Sequence, residues 1–182
     1  MSSSKGRMPG DLNHDQMIER MIRVDQAGEY GAVRIYKGQL AVLGKGDKKE
    51  LLAHMLEQEE VHLDTFNKMA AKRRVRPTFF TPIWHAAGFA LGAGTALLGE
   101  KAAMACTVAV EETIDGHYAE QIEELGETEP ELSATFAKFR EEELEHRDIG
   151  YEHGAEQAPA YNLLSKAIKS GSKFAIWVSE RF

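Results

Sequence analysis

Apolar residues recur every three or four positions along almost the whole chain, and no segment shows the strict alternation of a half-buried strand. The pattern predicts an all-α protein. A first helix, capped by Asn13 or Asp15, carries the stripe Ile18, Ile22, Asp25, Glu29, Ala32, Tyr36 and Leu40 and ends at the GKGD turn, 44–47. A second stripe runs Leu52, Met55, Glu59, His62, Phe66 and Met69 and stops before RRVRP, 73–77. An apolar, glycine-rich stretch follows, TPIWHAAGFALGAGTALLGE, 81–100. The third stripe, Met104, Thr107, Glu111, Ile114, Tyr118, Ile122 and Leu125, ends near Gly126 and Pro130. The fourth is Leu132, Phe136, Phe139, Glu143, His146, Gly150 and His153. After Pro159 a last helix carries Leu164, Ile168, Ala175 and Val178.

Each of the four long stripes has a carboxylate in its middle. An ionised carboxylate left unpaired in a core is very costly, so buried acids are normally paired with a cation or bound to metal. In chain order the stripes carry Glu29, then Glu59 with His62, then Glu111, then Glu143 with His146. Glutamate and histidine three residues apart lie on one helix face, where both can hold one ion. Taken alone, EEELEHRDIG (141–150) is a solvated acidic run from which Glu141, Glu142 and Glu145 project away from that face. The repetition gives it meaning. Glu29 and Glu59 are 30 positions apart, Glu111 and Glu143 32, so two helical hairpins of similar size can pack about a pseudo-twofold axis. Four carboxylates and two imidazoles then meet at mid-bundle, the ligand set of di-iron and di-manganese bundles. Acids satisfied by buried Arg or Lys are the competing arrangement.

Composition narrows the chemistry. The chain has 182 residues with 43% hydrophobic and 28% charged, an ordinary globular balance that suits one domain, 13–182, behind a loose tail, 1–12. A net charge of -7 argues against a general nucleic-acid binder. The lone Cys106 excludes an internal disulfide, a four-cysteine zinc site and a rubredoxin-type iron centre, and reads as a small buried residue. Any metal is held by oxygen and nitrogen. The opening MSSSKGRMPG has no apolar run, so no secretory signal is expected. Four carboxylates neutralise the charge of two divalent ions, and six side chains around two ions leave coordination positions open for dioxygen. Imidazole favours iron over calcium or magnesium; manganese fits nearly as well.

The segments RVDQAGEYGAVRIYKGQ (23–39), EQEEVHLDTFN (57–67), AMACTVAVEETIDGHYAEQI (103–122), EEELEHRDIG and the terminal SERF resemble the demethoxyubiquinone hydroxylase family. The resemblance covers the chain from about residue 13 onward and implies a ferritin-like four-helix bundle with a long hydrophobic crossover and an additional C-terminal helix. It implies that Glu29, Glu59, His62, Glu111, Glu143 and His146 hold two iron ions per chain, with Glu59 and Glu143 bridging. It implies a membrane-associated monooxygenase of ubiquinone biosynthesis, in which dioxygen supplies an oxygen atom to an unsubstituted carbon of a polyprenyl methyl-methoxy-benzoquinone ring. The implied partners are the quinone, a lipid surface, a ubiquinone-biosynthesis complex with a lipid-binding accessory protein, and further copies of the chain. Without a long amino-terminal extension the chain resembles a bacterial member or a processed organellar one, on the cytoplasmic or the matrix face of the inner membrane respectively.

His117 and Tyr118 follow Glu111 by six and seven positions. The resemblance assigns them electron or proton transfer near the quinone; a core tyrosine with a satisfied hydroxyl is the plainer reading. Asp25, one turn before Glu29, reads as an acceptor for a ligand histidine or as the partner of an arginine. His153 reads as structural. A manganese catalase shares the ligand types, and a non-enzymatic iron-binding or helical scaffold is the rival of a different class. Ferritin cages and rubrerythrin-like peroxidases fit less well, the first because of the apolar stretch and the second because of the single cysteine.

The stretch 81–100 is long enough to be a transmembrane candidate. Topology argues against a span. Glu29, Glu59 and His62 precede it and Glu111, Glu143 and His146 follow it, and bridged ions lie only about 4 Å apart. Both halves of the site must lie on one side. The segment is therefore expected to be a monotopic crossover lying in one leaflet, with Phe89 and Leu91 in lipid and Arg73, Arg74, Arg76 and Lys101 at the headgroups. An ordinary buried crossover is the alternative.

Overall fold

The computed structural model describes residues 10–182. Most of the expected tail, 1–9, lies outside the described residues, while Gly10, Asp11 and Leu12 are exposed. The helices are α1 (His14–Leu43), α2 (Lys49–Arg73), α3 (Thr81–Leu97), α4 (Glu100–Leu125), α5 (Pro130–Glu152) and α6 (Tyr161–Ser179), with a single 3-10 turn, Ala155–Gln157, before the last. No strand occurs among the described residues.

Local chemistry sets the helix ends. Asn13 caps α1 in a reciprocal capping box: its side chain accepts from the Gln16 amide at 2.8 Å, and Gln16 accepts from the Asn13 amide at 2.9 Å. Of the two expected caps, Asn13 is the one used. α3 and α4 meet at Gly99, whose φ of 115° is open to glycine and costly for other residues.

α1 and α2 form one antiparallel hairpin, as the pairs Lys37 with Glu60 and Gln26 with Asn67 show. α4 and α5 form the other, joined by Arg140 to Asp115 and by Tyr151 to Glu112. α3 runs the length of the bundle between them, parallel to α1, so α2 and α4 point the same way. This is the long-crossover topology of a ferritin-like bundle. Two apolar clusters fill its ends. One contains Ile18, Ile22, Phe66, Phe136 and Leu125, and the other Leu52, Met55, Met104 and Val108. The polar residues of the four stripes occupy the layer between.

α3 lies on α1 at backbone contact. A Cβ on Gly92 would sit 2.0 Å from the Ile35 carbonyl oxygen, and one on Gly38 would sit 2.3 Å from that of Phe89. Gly88 and Gly92, one turn apart, therefore face α1, with Thr95 and Ala96 continuing the buried side. This phase turns Phe89 and Leu91 toward the flank, where both are half-buried. Arg34 stacks over Phe89 at 5.0 Å, and Leu91 packs on the core. Neither points fully outward as expected; the exposed large apolar residues of this segment are Ile83, Leu97 and Leu98. Among the described residues no helix is long and apolar enough to cross a membrane. The basic residues are also partly committed, Arg73 to Glu129 at 2.8 Å and Lys101 to Gln157 at 2.6 Å.

α6 packs along α4 and returns to the start of α3. There Trp84 donates to Ser179 at 3.1 Å and the Phe79 amide donates to the Phe182 carbonyl at 3.1 Å.

Candidate metal centre

All six side chains of the array converge at mid-bundle, and all six are buried. They form two overlapping groups whose potential ligand atoms lie within 4.8 Å of one another: Glu29, Glu59, His62 and Glu143, and Glu59, Glu111, Glu143 and His146. Glu59 and Glu143 belong to both groups; each remaining residue belongs to one.

Both imidazoles turn Nδ1 inward. His62 Nδ1 is 3.1 Å from Glu143 Oε1 and 3.6 Å from Glu29 Oε2; His146 Nδ1 is 3.1 Å from Glu59 Oε1 and 3.3 Å from Glu143 Oε2. Their Nε2 atoms point outward. His62 Nε2 meets Glu142 Oε2 at 2.8 Å, and His146 Nε2 meets Gln58 Oε1 at 2.9 Å. Glu142, expected to project into solvent, therefore touches a site histidine. Its neighbour in the sequence faces the core, but His62 on α2 reaches across to the boundary position Glu142 occupies. No pattern within one helix reveals that contact.

No Arg or Lys ion pair reaches Glu29, Glu59, Glu111 or Glu143 among the described residues, which removes the arrangement of acids satisfied by buried cations. Glu29 Oε2, both oxygens of Glu59, Glu111 Oε2, Glu143 Oε2 and His146 Nδ1 are buried without a hydrogen bond. Six unsatisfied ligand atoms turned on one point are costly for protein alone and are what divalent cations require. The residues fit a pair of metal ions.

Electrostatics agree. Burial and the surrounding carboxylates push Glu59 and Glu111 well above the usual range. Burial also raises Glu143, but the imidazoles of His146 and His62 close beside it outweigh that and draw the carboxyl down to about 2. For His62, burial favours the neutral ring, yet the carboxylates of Glu143 and Glu29 beside it prevail and lift it to about 12. Without metal the cluster holds protons in its place.

Two tyrosines close the layer. Tyr118 donates its hydroxyl to Glu29 Oε1, and Tyr36 donates to Glu111 Oε1 at 3.1 Å. Burial, reinforced by nearby carboxylates, raises both phenols and keeps them protonated. Tyr118 thus has its hydroxyl satisfied and touches a site carboxylate at once. His117, beside it, faces away: its Nε2 lies 3.4 Å from Asp25 Oδ1 and 3.0 Å from Gln121 Nε2, at the wall of a small polar crevice with Arg20, Glu124 and Glu180. Asp25 accepts from Gln121 at 2.9 Å. Its partners are His117 and Gln121, rather than a ligand histidine or an arginine, because α4 presents these two on the turn facing it. His153 caps α5, with Lys48 Nζ 2.9 Å from its Nδ1, a structural role. Cys106 is buried, and burial pushes its thiol up to about 12.

Beside this layer lies an apolar cavity of about 400 Å³ between α1, α3, α4 and α6, lined among others by Gly28, Ala32, Trp84, Leu91, Val110 and Ile176. Gly28 and Val110 directly precede Glu29 and Glu111, so the cavity backs onto the helix turns that carry two of the site carboxylates. Sequence patterns missed it because its walls come from four separate elements.

A ferritin-like bundle whose core layer carries a duplicated carboxylate and histidine cluster has the architecture and donor set in which helical bundles build dinuclear metal sites. Residues 16–179 match the family model described as ubiquinone biosynthesis protein COQ7, and the chain belongs to that family. Relatives include a 3-demethoxyubiquinol 3-hydroxylase of Rhodospirillum rubrum, 64% identical over 180 residues, which are 98% of this chain and 85% of the relative. The NADPH-dependent 3-demethoxyubiquinone 3-hydroxylase, mitochondrial, of Homo sapiens is 55% identical over 168 residues, 90% of this chain and 77% of the relative. The 5-demethoxyubiquinone hydroxylase, mitochondrial, of Saccharomyces cerevisiae is 44% identical over 181 residues, 90% and 78% of the two chains.

Proposed function

We propose that this chain is a di-iron monooxygenase that hydroxylates the ring of a demethoxyubiquinone-type polyprenyl quinone late in ubiquinone biosynthesis. The observation that carries the reading is the set of unsatisfied carboxylate oxygens and inward-turned imidazoles at mid-bundle, beside an apolar cavity large enough for a substituted ring. The names of the relatives supply the substrate class and the reaction. In balance, a ring C–H bond, dioxygen, two electrons and two protons give a ring hydroxyl and water.

Glu29, Glu59, His62, Glu111, Glu143 and His146 would hold the two ions, Glu29 and His62 in one group and Glu111 and His146 in the other, with Glu59 and Glu143 common to both groups. When bound, the iron pair supplies the activation of dioxygen. The apolar clusters above and below exclude water from the layer. The cavity walls orient the ring, and Tyr118 holds a proton on the Glu29 side. His117, paired with Asp25 at the polar crevice, connects this side of the site to solvent for proton and electron supply.

The outer faces of α3 and α6 expose Ile83, Leu97, Leu163, Phe174 and Trp177, of which Phe174 also lines the cavity, which suits a lipid surface that delivers the prenylated substrate. The membrane is the inner one, on the cytoplasmic face in a bacterium or the matrix face in a mitochondrion. Further apolar contact with copies of the chain or with a lipid-binding accessory protein uses the same faces.

The test is reconstitution with ferrous iron, a reductant and a demethoxyubiquinone, followed by isotopically labelled dioxygen. The expected result is two iron ions per chain and label in the product hydroxyl; manganese loading should leave the hydroxylase inactive. Label from water, or a fold-intact protein that takes up no metal, rejects the reading.

A further inference from the structure

The site is built on an internal twofold relationship, and the pair Glu142 and Gln58 breaks it in direct contact with the two histidines. Asp25, Glu29, Tyr36 and Gln39 of α1 correspond in spacing to Thr107, Glu111, Tyr118 and Gln121 of α4. The contacts repeat too: Gln121 donates to Asp25 at 2.9 Å, and Gln39 lies 3.5 Å from Thr107 Oγ1. On the second helix of each hairpin, Gln58, Glu59 and His62 correspond to Glu142, Glu143 and His146. The residue preceding each shared glutamate meets the outer nitrogen of the opposite histidine. That residue is a carboxylate, Glu142, on His62 and a neutral amide, Gln58, on His146.

The difference has a direct chemical consequence. A carboxylate accepting from Nε2–H fixes the tautomer, leaves the Nδ1 lone pair free for a cation, and raises the donor strength of the ring; an amide oxygen does the first two and little of the third. The His62 ring is also held more firmly. Phe139 stacks on it with centroids 4.0 Å apart, whereas on the other hairpin the corresponding position is Met55, and His146 meets an aromatic ring edge-on, that of Tyr36 at 6.0 Å. Lys138 sits 3.2 Å from the outer oxygen of Glu142, but its side chain is largely exposed, so water screens that pairing. Asp25 adds little to the imbalance because His117 faces it.

We infer that the two metal subsites are unequal and that the Glu29 and His62 subsite, supported from outside by Glu142, takes the first divalent ion, with the Glu111 and His146 subsite filling second. The inference rests on the dinuclear reading of the site above. Glu142 and Gln58 are positioning residues that set the order of loading through the two histidines.

The test is an anaerobic titration of the metal-free full chain with Co²⁺, followed by its visible absorption and by calorimetry, with folding checked by circular dichroism. Mutual repulsion of two cations separates the binding steps in any such pair, so the decision lies with the variants. Glu142→Gln is expected to weaken the first step by about tenfold and leave the second nearly unchanged. Gln58→Glu is expected to tighten the second step by a similar factor, and the double variant to reverse the order, so that His62→Ala added to it spares the tight step. An unchanged first step in Glu142→Gln, or a loss confined to the second, overturns the inference while leaving the dinuclear site standing. Absence of Co²⁺ uptake by the folded parent chain removes both.

Discussion

Tyr36 and Tyr118 are exchanged across the site: each stands seven positions after a glutamate of its own helix, and each gives its hydroxyl to the glutamate of the other. Neither contact lies within a helix. The exchange ties α1 to α4 through the centre of the bundle, so site and fold are held by the same bonds.

Replacing either tyrosine with phenylalanine leaves a site carboxylate without its donor. Tyr36→Phe and Tyr118→Phe are each expected to lower stability by about 1–3 kcal/mol, the usual cost of leaving a buried polar group without its partner. Both should still bind two ions per chain. Turnover should fall at least about tenfold in Tyr118→Phe and less in Tyr36→Phe, because only Tyr118 adjoins the contact of His117 with Asp25. Urea melts, metal analysis and turnover on one preparation separate the three effects.

Metal removal should create a pH response that the loaded protein lacks. In the metal-free chain His62 is lifted to about 12, so the stability from its protonation is complete below its ordinary value near 6.5 and drains away as pH rises toward 12. The raised carboxyls of Glu59 and Glu111 act in the same direction. Glu143, drawn down to about 2, adds stability that is present above the ordinary carboxylate value and lost as pH falls toward 2. The metal-free protein should therefore have its highest Tm near pH 4.5 and melt progressively lower toward pH 9. Bound ions replace the protons, and the loaded protein should hold its Tm from pH 6.5 to 9. Calorimetric scans of both forms at the same pH values check this.

The four bundle helices and the six converging side chains were legible because burial imposes the helical period and because a charge in an apolar stripe stands out against it. Contacts between helices were not. Glu142 sits at the edge of the stripe, where period alone assigns it to solvent, and only the approach of α2 gives it His62. Asp25 was placed correctly one turn before Glu29, but its partner depends on which turn of α4 lies opposite. The rotation of α3 escaped prediction for a similar reason. Its sequence is apolar all round, so nothing but the fit of Gly88 and Gly92 against the α1 backbone decides which side is buried.

That fit supplies a paired test. Gly92→Ala places a methyl 2.0 Å from the Ile35 carbonyl oxygen, where backbone must move, and is expected to cost about 3 kcal/mol or more. Gly94→Ala, two positions on, meets nothing within 4 Å and should be neutral or stabilising by up to about 1 kcal/mol through helix propensity. Equal effects in thermal melts would show that α3 does not lie on α1 at backbone contact.

The proposed membrane docking can be tested apart from catalysis because the outward apolar groups are not those of the candidate metal site. Phe174 and Trp177 stack on each other at the exposed face of α6, and Leu163 lies exposed near its start. Each large apolar side chain buried in lipid contributes about 1.5–3 kcal/mol. Phe174 also borders the cavity and can affect substrate access, so Leu163 and Trp177 are the cleaner probes. Leu163→Glu with Trp177→Glu should release the protein from sedimented or floated lipid vesicles, lower activity on a long-tailed quinone in those vesicles, and leave metal content and activity on a short-tailed soluble analogue close to the parent. By contrast, Phe89→Glu or Leu91→Glu should destabilise the fold itself, since both side chains are half-buried against α1 and the core. A double variant that still floats with vesicles would show that α6 is not the docking face, and one that loses activity on both quinones alike would show that these residues serve the site rather than the surface.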